Sequence, residues 1–270
     1  MEPGIVGWLA LALYVAAEAL SIARLRTNSE PLGRASAALL GSAVLVHFAA
    51  LQIRARAIHS VPYRDLPDSM SLFAWMLAVA YGILLLRHRE SSTGPFLIPF
   101  VIVFLLVSLT ARRTVEPPAR PELSGPLFAF HVTMAILGYA ALTLSFILAL
   151  LYLVQARQIQ KRKIGLLFSR LPALDVLSRL QETTISIGIA ALSLAAVLGL
   201  VWARRTWGTI WDVKVLWTFL TILVYLGALL SARLGWKGRR SAILSITAFA
   251  LLLFSYTVVN LFLTQEHLFR

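Results

Sequence analysis

The stretch PLFAFHVTMAILGYAALTLSFILALLYLV, residues 126–154, decides the fold. It is apolar throughout rather than alternating apolar and polar, and a helix needs about 20 such residues to cross the hydrocarbon core of a bilayer. A barrel strand would be shorter and would alternate. The run therefore predicts a membrane-spanning helix, long enough to tilt or to project from the membrane. Working outward, seven further runs have the same character: 4–24, 32–53, 68–86, 94–111, 183–203, 213–232 and 241–262. The composition agrees. Of the 270 residues, 59% are hydrophobic, and the mean hydropathy is +0.80, whereas soluble domains are about 45–50% apolar. The expected fold is an all-α integral membrane protein, a single polytopic domain over 1–270 built as a bundle of about eight transmembrane helices. The first run has no positive segment before it and no small-residue cleavage site. It reads as a retained helix rather than a signal peptide.

An even number of spans puts both termini on one side, and Lys and Arg decide which side. Loops 1–2, 3–4, 5–6 and 7–8 carry 15 of these residues, and the other loops and the C-terminus carry 10. The first group is expected in the cytoplasm, with both termini outside and the protein multi-pass in the cell membrane. The net charge of +13 then belongs to loop retention and not to nucleic acid. Loop 5–6 begins with the basic RQIQKRK and continues as IGLLFSRLPALDVLSRLQ. Apolar residues at 167, 171, 174, 177 and 180 mark one helical face. The segment 156–182 is expected as a basic amphipathic piece lying on the cytoplasmic surface, with Pro172 starting or kinking it.

Cysteine is absent, which excludes disulfides, thiolate metal sites and covalent haem attachment through CxxCH. Any metal chemistry must use His, Asp, Glu or Met. Ser, His and Asp occur in no recognisable triad order, so catalysis is not expected. Of the five histidines, His88 falls on the cytoplasmic side as a solvated loop residue. His47 lies inside the second span, where a hydrogen-bonded packing role is the simplest reading. His59, His131 and His267 fall on the outer side, His131 about a turn inside the fifth span and His267 four residues from the C-terminus. The same face receives TWGTIWDVKVLW, residues 206–217. Tryptophan is common at membrane interfaces, but the interface alone does not explain an aspartate, a lysine and two histidines at matching depth. A flat apolar platform between histidines suits haem, a planar macrocycle whose iron takes axial imidazoles. Trp207 and Trp211 would pack on the ring or its edge, and Arg204, Arg205 and Lys214 would pair with the propionates. Asp212 stands where an N-cap of the seventh helix is expected.

These residues resemble a known family. WGTIWDVKVLW resembles the tryptophan-rich WWD signature of the cytochrome c-type biogenesis proteins, the CcsA/CcmC/HemX-like haem-handling family, with Asp212, Lys214 and Trp217 in its D-x-K-x-x-W pattern. FHVTMAILGYAALTLSFILALLYLVQ resembles the helix that carries the family's first external histidine, here His131. FSYTVVNLFLTQEHLF resembles the closing helix that delivers the second, here His267. HSVPYRDLPDSMSLFAW, which begins at His59, resembles the family's early segment. The resemblance implies a b-type, non-covalent haem ligated by His131 and His267 on the outer face. The WWD loop would form the platform between them. Delivery would be to apocytochrome c, alongside other assembly proteins in the bilayer. Two alternatives stay open from the residues alone. One is a haem-free regulatory or structural protein of the same fold. The other is a small-ligand transporter, supported by Glu18 inside the first span with Tyr14 one turn away.

Overall fold

The computed structural model describes residues 3–63, 65–111, 125–162, 165, 169–208, 213–233 and 238–254. Among the described residues there are eight long helices and no strand: α1 Pro3–Thr27, α2 Glu30–Ile58, α3 Leu66–His88, α4 Gly94–Thr110, α5 Pro126–Gln160, α6 Leu174–Trp207, α7 Val213–Arg233 and α8 Arg239–Phe254. Each of the eight expected runs falls on one of them. The eighth run continues to residue 262, past the described residues. Five helices (α1, α2, α3, α5 and α6) are long and apolar enough to cross a membrane, and α4 and α7 are shorter apolar helices. Large apolar side chains are exposed in mid-helix, among them Leu45 (71%), Val197 (58%) and Leu223 (62%). Such faces are costly in water and are satisfied by lipid. The chain is a helical, multi-pass membrane protein.

The helix ends follow local chemistry. Asp65 caps α3, its Oδ1 accepting from the Asp68 N–H at 2.7 Å. Proline occupies the first turn of α2, α3 and α4, where its missing N–H costs nothing. His59 and Arg89 end α2 and α3 in the left-handed conformation at φ 50° and 53°, and their N–H groups close onto the carbonyls of Ala55 and Leu85.

The chain forms two compact units, residues 1–120 with 157–173, and residues 121–156 with 174–270. In lipid, helices associate through close packing, small residues and interhelical hydrogen bonds rather than through the hydrophobic effect. In the first unit, Ser36 Oγ donates to the Ala17 carbonyl at 2.8 Å, Trp75 Nε1 to Val44 at 3.0 Å and Ser108 Oγ to Pro67 at 2.7 Å. These bonds tie α2 to α1, α3 to α2 and α4 to α3. In the second unit, Gly138 of α5 and Gly188 of α6 let two backbones meet: a Cβ on Gly138 would stand 3.3 Å from the Gly188 carbonyl. Gln181 Nε2 donates to Ser245 Oγ at 2.6 Å, and Phe146 stacks on Phe249 with centroids 4.4 Å apart. Together they tie α6 and α5 to α8.

The segment 156–182, expected as one surface piece, includes the end of α5 and the start of α6. Helix α5 runs on to Gln160, and from Leu174 the chain is already the start of α6. Leu177 and Leu180 are fully buried and Leu171 nearly so. Of the apolar residues read at 171, 174, 177 and 180, Leu177 and Leu180 are packing residues of α6. Nothing in QETT, residues 181–184, breaks the helix, so the face continues in phase into the sixth span. Residue 167 lies outside the described residues.

Candidate functional site

Helix α5 starts at a turn that glycine permits. Gly125 has φ 113°, a conformation unfavourable for any side chain, and Pro126 follows at the first helical position. Phe128 and His131, three residues apart, then share one face of the opening turns. That face meets α6. His131 Nδ1 lies 2.7 Å from the Ala195 carbonyl oxygen. A carbonyl only accepts, so Nδ1 carries the proton, and Nε2 has the lone pair that a metal requires. Metal-ligating histidines are typically held in this way, with one ring nitrogen donating to a carbonyl or carboxylate. The ring lies directly on Gly199, where an added Cβ would come 2.6 Å from His131 Cε1. Phe128 is 6.0 Å from the imidazole, centroid to centroid, and 4.7 Å from Trp202. Both Phe128 and Trp202 are buried. The half-buried His131 is therefore fixed in tautomer, orientation and depth.

The sequence reading missed Ala195, Gly199 and Trp202. Of these only Trp202 carried a signal, as one of seven tryptophans. Arg204 and Arg205 are exposed in the last turn of α6, just beyond Trp202, and Trp207 is the last residue of that helix. Lys214 is in the first turn of α7. Trp217, one turn further on, packs on Phe254 of α8 at 5.2 Å. About two turns inward from His131, Tyr139, Leu192, Thr218, Thr221 and Leu252 converge, drawing on α5, α6, α7 and α8. So the start of α5, the end of α6, the start of α7 and the described end of α8 share one end of the second unit. Trp211, Asp212 and His267 lie outside the described residues, though α7 begins at Val213, directly after the expected cap. His59 belongs to the first unit, exposed at the C-terminus of α2. His47 is fully buried, between the Tyr14 hydroxyl at 3.4 Å from Nδ1 and Ser71 Oγ at 3.0 Å from Nε2, a packed hydrogen-bonded residue. Among the described residues no group of three or more His, Asp or Glu gathers as a metal site.

One oriented imidazole beside buried aromatic rings, with two arginines at the rim, fits a planar metal macrocycle with acidic side groups. Among the described residues it does not supply the several protein ligands that a bare ion would need. The fold defines a polytopic helical membrane protein. The chain belongs to the cytochrome c assembly protein family, whose pattern it matches over residues 63–267. It is 29% identical over 221 residues to the cytochrome c biogenesis protein CcsA of Guillardia theta, covering 74% of this chain and 73% of that one. The CcsA protein of Synechococcus is 26% identical over 257 residues, with 74% of each chain covered. Protein HemX of Bacillus subtilis is 29% identical over 221 residues, covering 77% of this chain and 76% of its own.

Proposed function

We propose that the protein binds a b-type haem non-covalently at this end of its second unit and hands it to apocytochrome c during cytochrome c assembly. The observation that supports this best is the hydrogen bond from His131 Nδ1 to the Ala195 carbonyl, which presents Nε2 as an axial ligand. In this reading His267 is the opposite ligand. Trp207, Trp211 and Trp217 form the platform, and Asp212 holds its loop against the start of α7. Arg204, Arg205 and Lys214 pair with the propionates. His59 stands in the early family segment. The haem is cargo and the protein is not an enzyme. The distribution of Lys and Arg supports a cell-membrane location with the site outside the cytoplasm. Partners are apocytochrome c, other membrane proteins of the assembly system and the lipid itself. The test is a host lacking its own assembly protein, with covalently bound haem in a c-type cytochrome as the readout. The wild-type chain restores it, and His131→Ala, present in the membrane in equal amount, does not. Full restoration by His131→Ala would overturn the proposal.

A further inference from the structure

The first unit holds a file of polar side chains that haem binding does not use. Its spine is α1. Tyr14, Glu18, Ser21 and Arg24 are spaced by four, three and three residues and so share one helical face. Tyr14, Ser21 and Arg24 are buried. From Tyr14 the file runs toward the junction of α2 and α3: the Tyr14 hydroxyl meets His47 Nδ1, and His47 Nε2 meets Ser71 Oγ. From Glu18 it runs toward the turn between α1 and α2. There Gly94 leaves room for Ser21 Oγ and for the Tyr81 hydroxyl, which stands 3.0 Å from where a Cβ would be. Gly33 leaves room for Arg24 Nε and Ser91 Oγ, each 2.8 Å from the same point. Arg24 Nη2 donates to Glu30 Oε1 at 3.1 Å, and the Glu30 side chain is 73% exposed.

Three buried atoms of this set have no hydrogen-bond partner among the described residues: Glu18 Oε2, Arg24 Nε and Thr93 Oγ1. Such orphans are rare in folded proteins. Ionisable residues within a membrane are costly and mark ion or proton pathways. A network serving only stability would satisfy its members. This one leaves a carboxyl oxygen, a guanidinium N–H and a hydroxyl open in line with hydroxyls and an imidazole, groups that both donate and accept. The titratable and charged groups of this file are Tyr14, Glu18 and Arg24 on α1, Glu30 and His47 on α2 and Tyr81 on α3, with Glu90 in the α3–α4 turn. Helix α4 carries none.

We propose that the first unit conducts protons along this file, with Glu18 as the residue that binds them in transit. A proton entering at the Glu30 end passes over the hydroxyls of Ser21, Tyr81 and Thr93 and forms the O–H bond of the Glu18 carboxyl. It leaves Glu18 across one turn of α1, a span that one bridging water covers, and enters the Tyr14 hydroxyl as Tyr14 gives its own proton to His47 Nδ1. The His47 Nε2 proton passes to Ser71 Oγ as the half-buried Ser71 hydroxyl gives its own proton to water. Every side chain ends with the protons it began with, and the imidazole resets by exchanging tautomers. The full-length protein in liposomes that enclose a pH-sensitive dye, energised by a potassium diffusion potential, tests this. The wild type acidifies the lumen faster than protein-free vesicles. Glu18→Gln and Tyr14→Phe each lose that excess, and His88→Ala keeps it. If Glu18→Gln does not fold, Tyr14→Phe stands alone, since it keeps the ring and removes only the hydroxyl. Wild-type flux equal to that of protein-free vesicles, or folded Glu18→Gln or Tyr14→Phe protein with full flux, would overturn the proposal.

Discussion

His131 is a ligand candidate because of what surrounds it. The Ala195 carbonyl sets its tautomer at 2.7 Å, and the bare face of Gly199 sets its depth. The glycine is therefore part of what positions the histidine. In Gly199→Ala the new methyl would lie 2.6 Å from His131 Cε1, and the ring must move off the carbonyl. Overpacking of this kind costs about 1–3 kcal/mol. The expected outcome is a lower melting temperature in detergent together with reduced haem content after purification. A Gly199→Ala protein with both properties unchanged would show that the ring does not depend on that surface. None of this was visible at residue scale in the sequence. His131 stood out as a metal-capable side chain on an apolar helix, but a backbone carbonyl 64 residues away carries no residue-type signature.

At the scale of elements the sequence was far more legible. Lipid satisfies no backbone groups, so a span must be a continuous apolar helix, and each run marks its own position. For 156–182 one apolar face serves equally for lying on a membrane surface and for packing inside a helix bundle, and periodicity does not distinguish the two. Burial does. Leu180 is fully buried in the opening turns of α6. Leu180→Ala is expected to cost about 2–5 kcal/mol, read as a large drop in thermal stability in detergent. A surface-lying segment would tolerate the change with almost no loss, and that result would contradict the packing of α6 from Leu174 onward.

At the scale of the whole molecule, the family shown over residues 63–267 gives the chain a role in cytochrome c assembly. The Lys and Arg pattern is the basis for the direction in the membrane proposed above. The direction is testable because the chain has no cysteine of its own. A single cysteine in place of Thr209 is expected to react with a membrane-impermeant thiol reagent in intact cells. Labelling only after lysis would place the tryptophan loop in the cytoplasm and reverse the topology.

The central claim is that His131 holds haem iron through Nε2, and the absorption spectrum of the purified protein tests it most directly. The wild type is expected to give a six-coordinate, bis-imidazole reduced-minus-oxidised spectrum. His131→Ala is expected to lose haem or to become five-coordinate, and added imidazole to restore the sixth ligand by filling the position the side chain left. A His131→Ala protein that keeps the wild-type spectrum and full haem content would contradict the account.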